Sequence, residues 1–151
     1  MYFFAMVDPV GDLYVEKVLL YSKEEEVLFV LIDEAGNRYI CSKTSELPDV
    51  GLISWIFVSV GEDELINIVR GREDYRQCYE TNSGYLISYS EDLGMYIKEF
   101  HAEKQYAVML PAYQVDGARV EHDALYIEEL KRAADKRSAY VTLNAAKVRT
   151  K

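Results

Sequence analysis

Five short strand-like runs, each bounded by turn chemistry, fill the first sixty residues and constrain the fold more than any other feature of the chain. They are Tyr2–Val7 (YFFAMV), Leu13–Tyr21 (LYVEKVLLY), Val27–Ile32 (VLFVLI), Arg38–Cys41 (RYIC) and Leu52–Val60 (LISWIFVSV). Asp8-Pro9-Val10-Gly11-Asp12 can bend the chain after the first run, and Ser22–Glu26, with three consecutive glutamates, reads as a solvated turn. Asp33-Glu34-Ala35-Gly36-Asn37 is a hairpin signal, because Gly36 can take positive φ between two strand-like runs. Residues 42–51, with Pro48, read as a loop. The second run is apolar on both alternating faces, Leu13/Val15/Lys17/Leu19/Tyr21 and Tyr14/Glu16/Val18/Leu20, which predicts a central strand covered on both sides.

The period changes after Gly61. Glu62, Asp63 and Glu64 suit the first turn of a helix, Leu65, Ile66, Ile68 and Val69 form its apolar stripe, and Gly71 stands where a C-terminal cap belongs. A shorter helix is predicted over 73–80, a turn at Asn82-Ser83-Gly84, then strands over Tyr85–Tyr89, Met95–Phe100 and Gln105–Leu110. Asp123 can cap a last helix running to Arg137, with Tyr126, Ile127, Leu130, Ala133 and Ala134 on its apolar side. The expected fold class is therefore α+β: an antiparallel β-meander with one or two short helices packed on it and a C-terminal helix. Residues 1–112 would form the core, and 113–151 a connector and basic helical appendage of the same domain.

Charge narrows the partners. The chain of 151 residues has a formal net charge of −9, unevenly placed. Residues 1–129 carry 25 acids and 10 bases, whereas residues 130–151 carry one acid and seven bases. An acidic body repels nucleic acid and anionic membranes, leaving contact with nucleic acid to the basic tail, which is expected instead to fold back onto the acidic body. No run approaches the roughly 18–20 apolar residues of a membrane span, and the N-terminus lacks a basic n-region. Two cysteines 37 positions apart, Cys41 and Cys78, fit buried reduced thiols, so a cytoplasmic protein is expected.

From Gly11 to about Phe100, the succession Gly11-Asp12-Leu13-Tyr14, Lys17–Tyr21, the Asp33–Tyr39 hairpin, Trp55, Glu64-Leu65 to Gly71, and Tyr75–Thr81 with Gly84-Tyr85-Leu86 resembles an uncharacterised bacterial family, a domain of unknown function. The resemblance implies a structural likeness and brings no activity or functional residue with it. Proteins of this kind resemble accessory products of bacteria and their phages.

Catalytic signatures are missing. His101, His122-Asp123 and Asp135 follow the H…HD…D order of metal-dependent phosphohydrolases, which hold a cation between imidazoles and carboxylates. That fold is helical around its ligands, while the chain before His101 reads as β-rich, and Asp123 serves better as a helix cap. A zinc set of Cys41, Cys78, His101 and His122 lacks ligand spacing, and no nucleophile elbow, P-loop or dinucleotide fingerprint occurs. No catalytic residue, metal ligand or cofactor is assigned.

Two binding constellations remain. Arg70, Arg72 and Arg76, interleaved with Tyr75 and Tyr79, could hold a nucleotide, phosphate on the guanidiniums and base on a ring; the plainer reading pairs them with Glu73, Asp74 and Glu80. Thirteen tyrosines favour a protein interface, with Tyr85, Tyr89 and Tyr96 as aromatic anchors and Lys131, Arg132, Lys136 and Arg137 as a basic face. The leading expectation is a non-enzymatic interaction or regulatory protein with a protein partner. A small-ligand binder stands second and a metal-dependent phosphohydrolase third, and homo-oligomerisation is left open.

Overall fold

The computed structural model describes residues 1–44, 53–101 and 124–136. The chain divides into two compact units, one of residues 1–60 and 74–115, the other of residues 61–73 and 116–151.

The first unit holds a seven-stranded antiparallel sheet in strict chain order. Its strands are β1 (Tyr2–Val7), β2 (Gly11–Ser22), β3 (Glu25–Asp33), β4 (Arg38–Lys43), β5 (Ile53–Val60), β6 (Ser83–Ser90) and β7 (Gly94–His101). Helix α1 (Glu62–Val69) belongs to the second unit, and α2 (Arg76–Thr81) to the first, where it packs on β5. A further helical stretch spans 124–136. The chain is thus mostly β with some helices. The predicted strand at Gln105–Leu110, the cap Asp123 and Arg137 lie outside the described residues.

The sheet is curled, and the bulges in β2 mark where its alternation breaks. Against β3, Val15 faces Leu31 but Lys17 faces Val30, so Glu16 is an extra residue, and the register shifts again between Val18 and Leu20 and between Leu20 and Tyr21. Each bulge raises the local twist. In a flat sheet with strands about 4.8 Å apart, β1 and β5 would be separated by roughly 19 Å. Instead the Phe4 ring of β1 meets Phe29 of β3 edge-on at 5.4 Å and Trp55 of β5 at 5.9 Å. The inner face so formed buries Ala5, Val7, Leu13, Val15, Phe29, Leu31, Cys41, Phe57 and Ile87 in one cluster, with Val18, Tyr39, Trp55, Tyr85 and Ile97 packed against it.

The bulges also correct the predicted faces of β2. Val18, expected opposite to Leu13 and Val15, joins them at the core because the extra Glu16 resets the alternation. Nor is β2 the strand covered on both sides: β3 is, with Val27 to Leu31 buried without interruption. Continuous apolar sequence is what such a position requires.

Two turns show how local chemistry meets this frame. Gly36 (φ 88°) closes the β3–β4 hairpin, where Asp33 accepts from the Asn37 backbone N–H at 2.8 Å. The β2–β3 hairpin, by contrast, turns on Lys23 (φ 51°) and Glu24 (φ 68°), two side-chain-bearing residues in the left-handed region. Two consecutive positive φ values are the geometry that Asn-Gly adopts without strain. Replacing the pair, Lys23→Asn with Glu24→Gly, is therefore expected to stabilise the protein by about 1–2 kcal/mol. Thermal unfolding would read this as a higher midpoint, and an unchanged midpoint would refute the strain.

The helices follow the sequence closely. In α1, Leu65, Ile66, Ile68 and Val69 are buried, and Gly71 (φ 74°) ends it with its N–H on the Ile68 carbonyl at 3.0 Å. Along 124–136, Tyr126 and Leu130 are buried while Lys131, Arg132 and Lys136 are exposed.

Candidate functional site

At one end of the inner face, side chains from five strands and one turn converge. Tyr39 of β4 and Tyr85 of β6 flank the buried Phe57 of β5. Tyr39 meets Phe57 edge-on at 5.6 Å, and Tyr85 stacks on it at 5.3 Å with 29° between planes. Strand alternation puts them together: Phe57 pairs with Cys41 on one side and Tyr85 on the other, and Tyr39 lies two residues from Cys41 on the same face. Both tyrosines are half-buried and pack against the core cluster.

Carboxylates surround this aromatic group. The Tyr39 hydroxyl donates to Asp33 Oδ2 at 3.1 Å. Glu99 of β7 is the register partner of Tyr85, and the curl brings Asp8, in the β1–β2 turn, within electrostatic reach of the same ring. Burial, then the charge of Asp33 and the hydrogen bond to it, pushes Tyr39 up to about 12. Burial, then Glu99 and Asp8, raises Tyr85. Both remain neutral donors near pH 7, in a negative potential that favours a cation. Aromatic rings beside carboxylates suit recognition of a positive group.

The arginine-tyrosine constellation is arranged differently from the expected nucleotide pocket. Tyr75 and Tyr79 are buried at 2 % and 0 % exposure and contact each other edge-on at 6.3 Å. The Tyr79 hydroxyl donates to the Ile40 carbonyl at 2.9 Å, with the Ile56 carbonyl at 3.2 Å beside it. These rings belong to the core, and no base can stack on them in this arrangement. A buried phenol needs an acceptor, and the β4–β5 backbone supplies it. Arg70 and Arg72 are exposed in the second unit, and Arg76 starts α2 in the first.

Of the predicted anchors, Tyr85 sits in the aromatic group, whereas Tyr89 and Tyr96 are 43 % and 60 % exposed near the β6–β7 turn. Tyr89 stands opposite Met95 on one face of the sheet, and Tyr96 opposite Ser88 on the other. Lys131, Arg132 and Lys136 are exposed, and Arg137 lies outside the described residues.

Sequence reasoning missed Tyr39, Phe57, Asp8, Asp33 and Glu99 as site residues. Alternation along β4 and β5 could have placed Tyr39 and Phe57 near one face. Nothing local links Asp8 to Tyr85.

Among the described residues, no group of three or more His, Cys, Asp or Glu is placed to hold a metal ion, and His122 and Asp123 lie outside them. Cys41 is wholly buried, which pushes its thiol up and makes it a poor nucleophile. No described helix is long and apolar enough to cross a membrane. Compared with protein-family models, curated proteins and solved structures, the chain matches none.

Proposed function

We propose that this chain is a non-catalytic interaction protein whose partner is a basic protein. The observation that carries the reading is the Tyr39–Phe57–Tyr85 group ringed by Asp33, Glu99 and Asp8. Half-buried aromatics offer contact area at little entropic cost, and the carboxylates choose the sign of what approaches. The net charge of −9 extends that choice over long range, raising encounter rates with cations and repelling nucleic acid. The buried thiols of Cys41 and Cys78, neither in a disulfide, support a cytoplasmic setting, in keeping with an accessory or inhibitory factor.

The test is affinity capture on the immobilised chain at low salt, followed by a rising salt wash. The retained proteins are expected to be basic and to elute as salt shortens the Debye length from about 10 Å at 0.1 M to about 3 Å at 1 M. Retention of proteins without charge bias, or of none, would overturn the reading.

A further inference from the structure

We infer that the tip of the β6–β7 hairpin, from Tyr89 to Tyr96, is a docking knob that enters an apolar cleft with a basic rim on the partner. The inference rests on the proposed reading of the partner as a basic protein. It adds a second place of contact, built from other residues than the aromatic group.

Leu93 is 90 % exposed at the turn, and Tyr89, Met95 and Tyr96 beside it are exposed as well. Apolar residues scattered singly over a surface are ordinary, but four within eight positions of one hairpin form a patch. The patch wraps the tip. Tyr89 and Met95 stand opposite each other on one face of the sheet, Tyr96 lies on the other, and Leu93 sits between them in the turn. A flat partner surface would cover one of these faces, whereas a cleft covers both. The tip is also held in shape. Ser90 and Gly94 are the last register pair, and Gly94 (φ 74°) supplies the left-handed residue that suits the three-residue connection of Glu91, Asp92 and Leu93. Buried Ser90 accepts the Leu93 backbone N–H on Oγ at 3.1 Å. The turn backbone is thus ordered before docking, which lowers the entropic cost of binding. Charge completes the match. Glu91 and Asp92 are the only charged residues from Ser83 to Ile97, and both are exposed. They favour a rim of lysine or arginine, and they repel nucleic acid and the same tip of a second copy.

The experiment repeats the capture with matched variants of the full chain, then titrates one retained basic protein, once purified, against each by calorimetry. The tip variant carries Glu91→Gln, Asp92→Asn and Leu93→Ser. The control carries Leu125→Ser, Glu128→Gln and Glu129→Gln, which likewise remove one leucine and two carboxylates from exposed positions, but outside the hairpin. Both should keep the wild-type unfolding midpoint, because every changed side chain is exposed. The tip variant is expected to bind at least about tenfold more weakly than the control, since full burial of a leucine alone carries that much. Leu93→Ser by itself should lose affinity at low and high salt alike, whereas Glu91→Gln with Asp92→Asn should lose it at low salt only. No loss from Leu93→Ser, or equal weakening of the tip and control variants, would overturn the knob while leaving a basic partner in place. A wild-type chain that sediments as a dimer, with Leu93→Ser monomeric, would overturn it by assigning the tip to a second copy. If the wild type retains nothing basic, the proposed function falls and the knob with it.

Discussion

Gly84→Ala is expected to destabilise the protein by about 3 kcal/mol, at the top of the range for overpacking a core. A Cβ built on Gly84 would stand 2.0 Å from the Phe57 carbonyl oxygen and 2.8 Å from the Val58 Cα. These are backbone atoms of the paired strand β5, so no side-chain rotation relieves the clash, and β6 must move away. Tyr85 is the next residue, so its stack on Phe57 would loosen as well. Urea unfolding followed by the emission of Trp55 would show the lower midpoint with little change in slope. A variant within about 0.5 kcal/mol of wild type would mean that close strand approach is not what this position requires.

The second large effect is expected at the ion pair of Arg38 and Glu16. Arg38 Nε lies 2.9 Å from Glu16 Oε1 and 3.2 Å from Oε2, with 12 % and 14 % of the two side chains exposed. The pair ties β2 to β4 across the intervening β3, and the glutamate is the extra residue of the β2 bulge. Truncating one partner of a buried pair leaves an uncompensated charge, a cost of about 3–5 kcal/mol where burial is complete. The residual exposure here lowers that to about 2–3 kcal/mol for Arg38→Ala or Glu16→Ala. Replacing both by apolar residues, Glu16→Met with Arg38→Leu, should recover most of the loss, because well-packed apolar groups often match a buried pair. Equilibrium unfolding of Glu16→Met, Arg38→Leu and the double variant that combines them forms the cycle. Additive losses in the double variant would refute coupling between the two charges.

Both cases show where local reasoning stops. Gly84 reads as a turn residue after Asn82 and Ser83, yet it sits inside β6, and its lack of a side chain serves strand contact. Glu16 reads as one member of an alternating face, yet the bulge makes it a bridge to Arg38. Tyr75 and Tyr79 read as rings on which a base could stack among arginines, but their spacing with Cys78 is also that of a buried helical stripe, and both are buried. Period alone cannot tell a ring that meets a ligand from one that meets the core.

What the sequence determined by itself is the local grammar. β1 runs from Tyr2 to Val7 as read, the Asp33–Asn37 hairpin turns at Gly36, and α1 begins in its acids, buries its four apolar residues and ends at Gly71. Those features follow from φ/ψ preference, side-chain period and helix-end electrostatics, which act over a few neighbouring residues. Tertiary structure alone decided the shifted register of β2, the curl that carries Phe4 to Trp55, and the meeting of Asp8, Asp33 and Glu99 around Tyr39 and Tyr85. The curl accumulates twist over successive strand pairs, so residues remote in the chain become neighbours through a geometry that no short window contains.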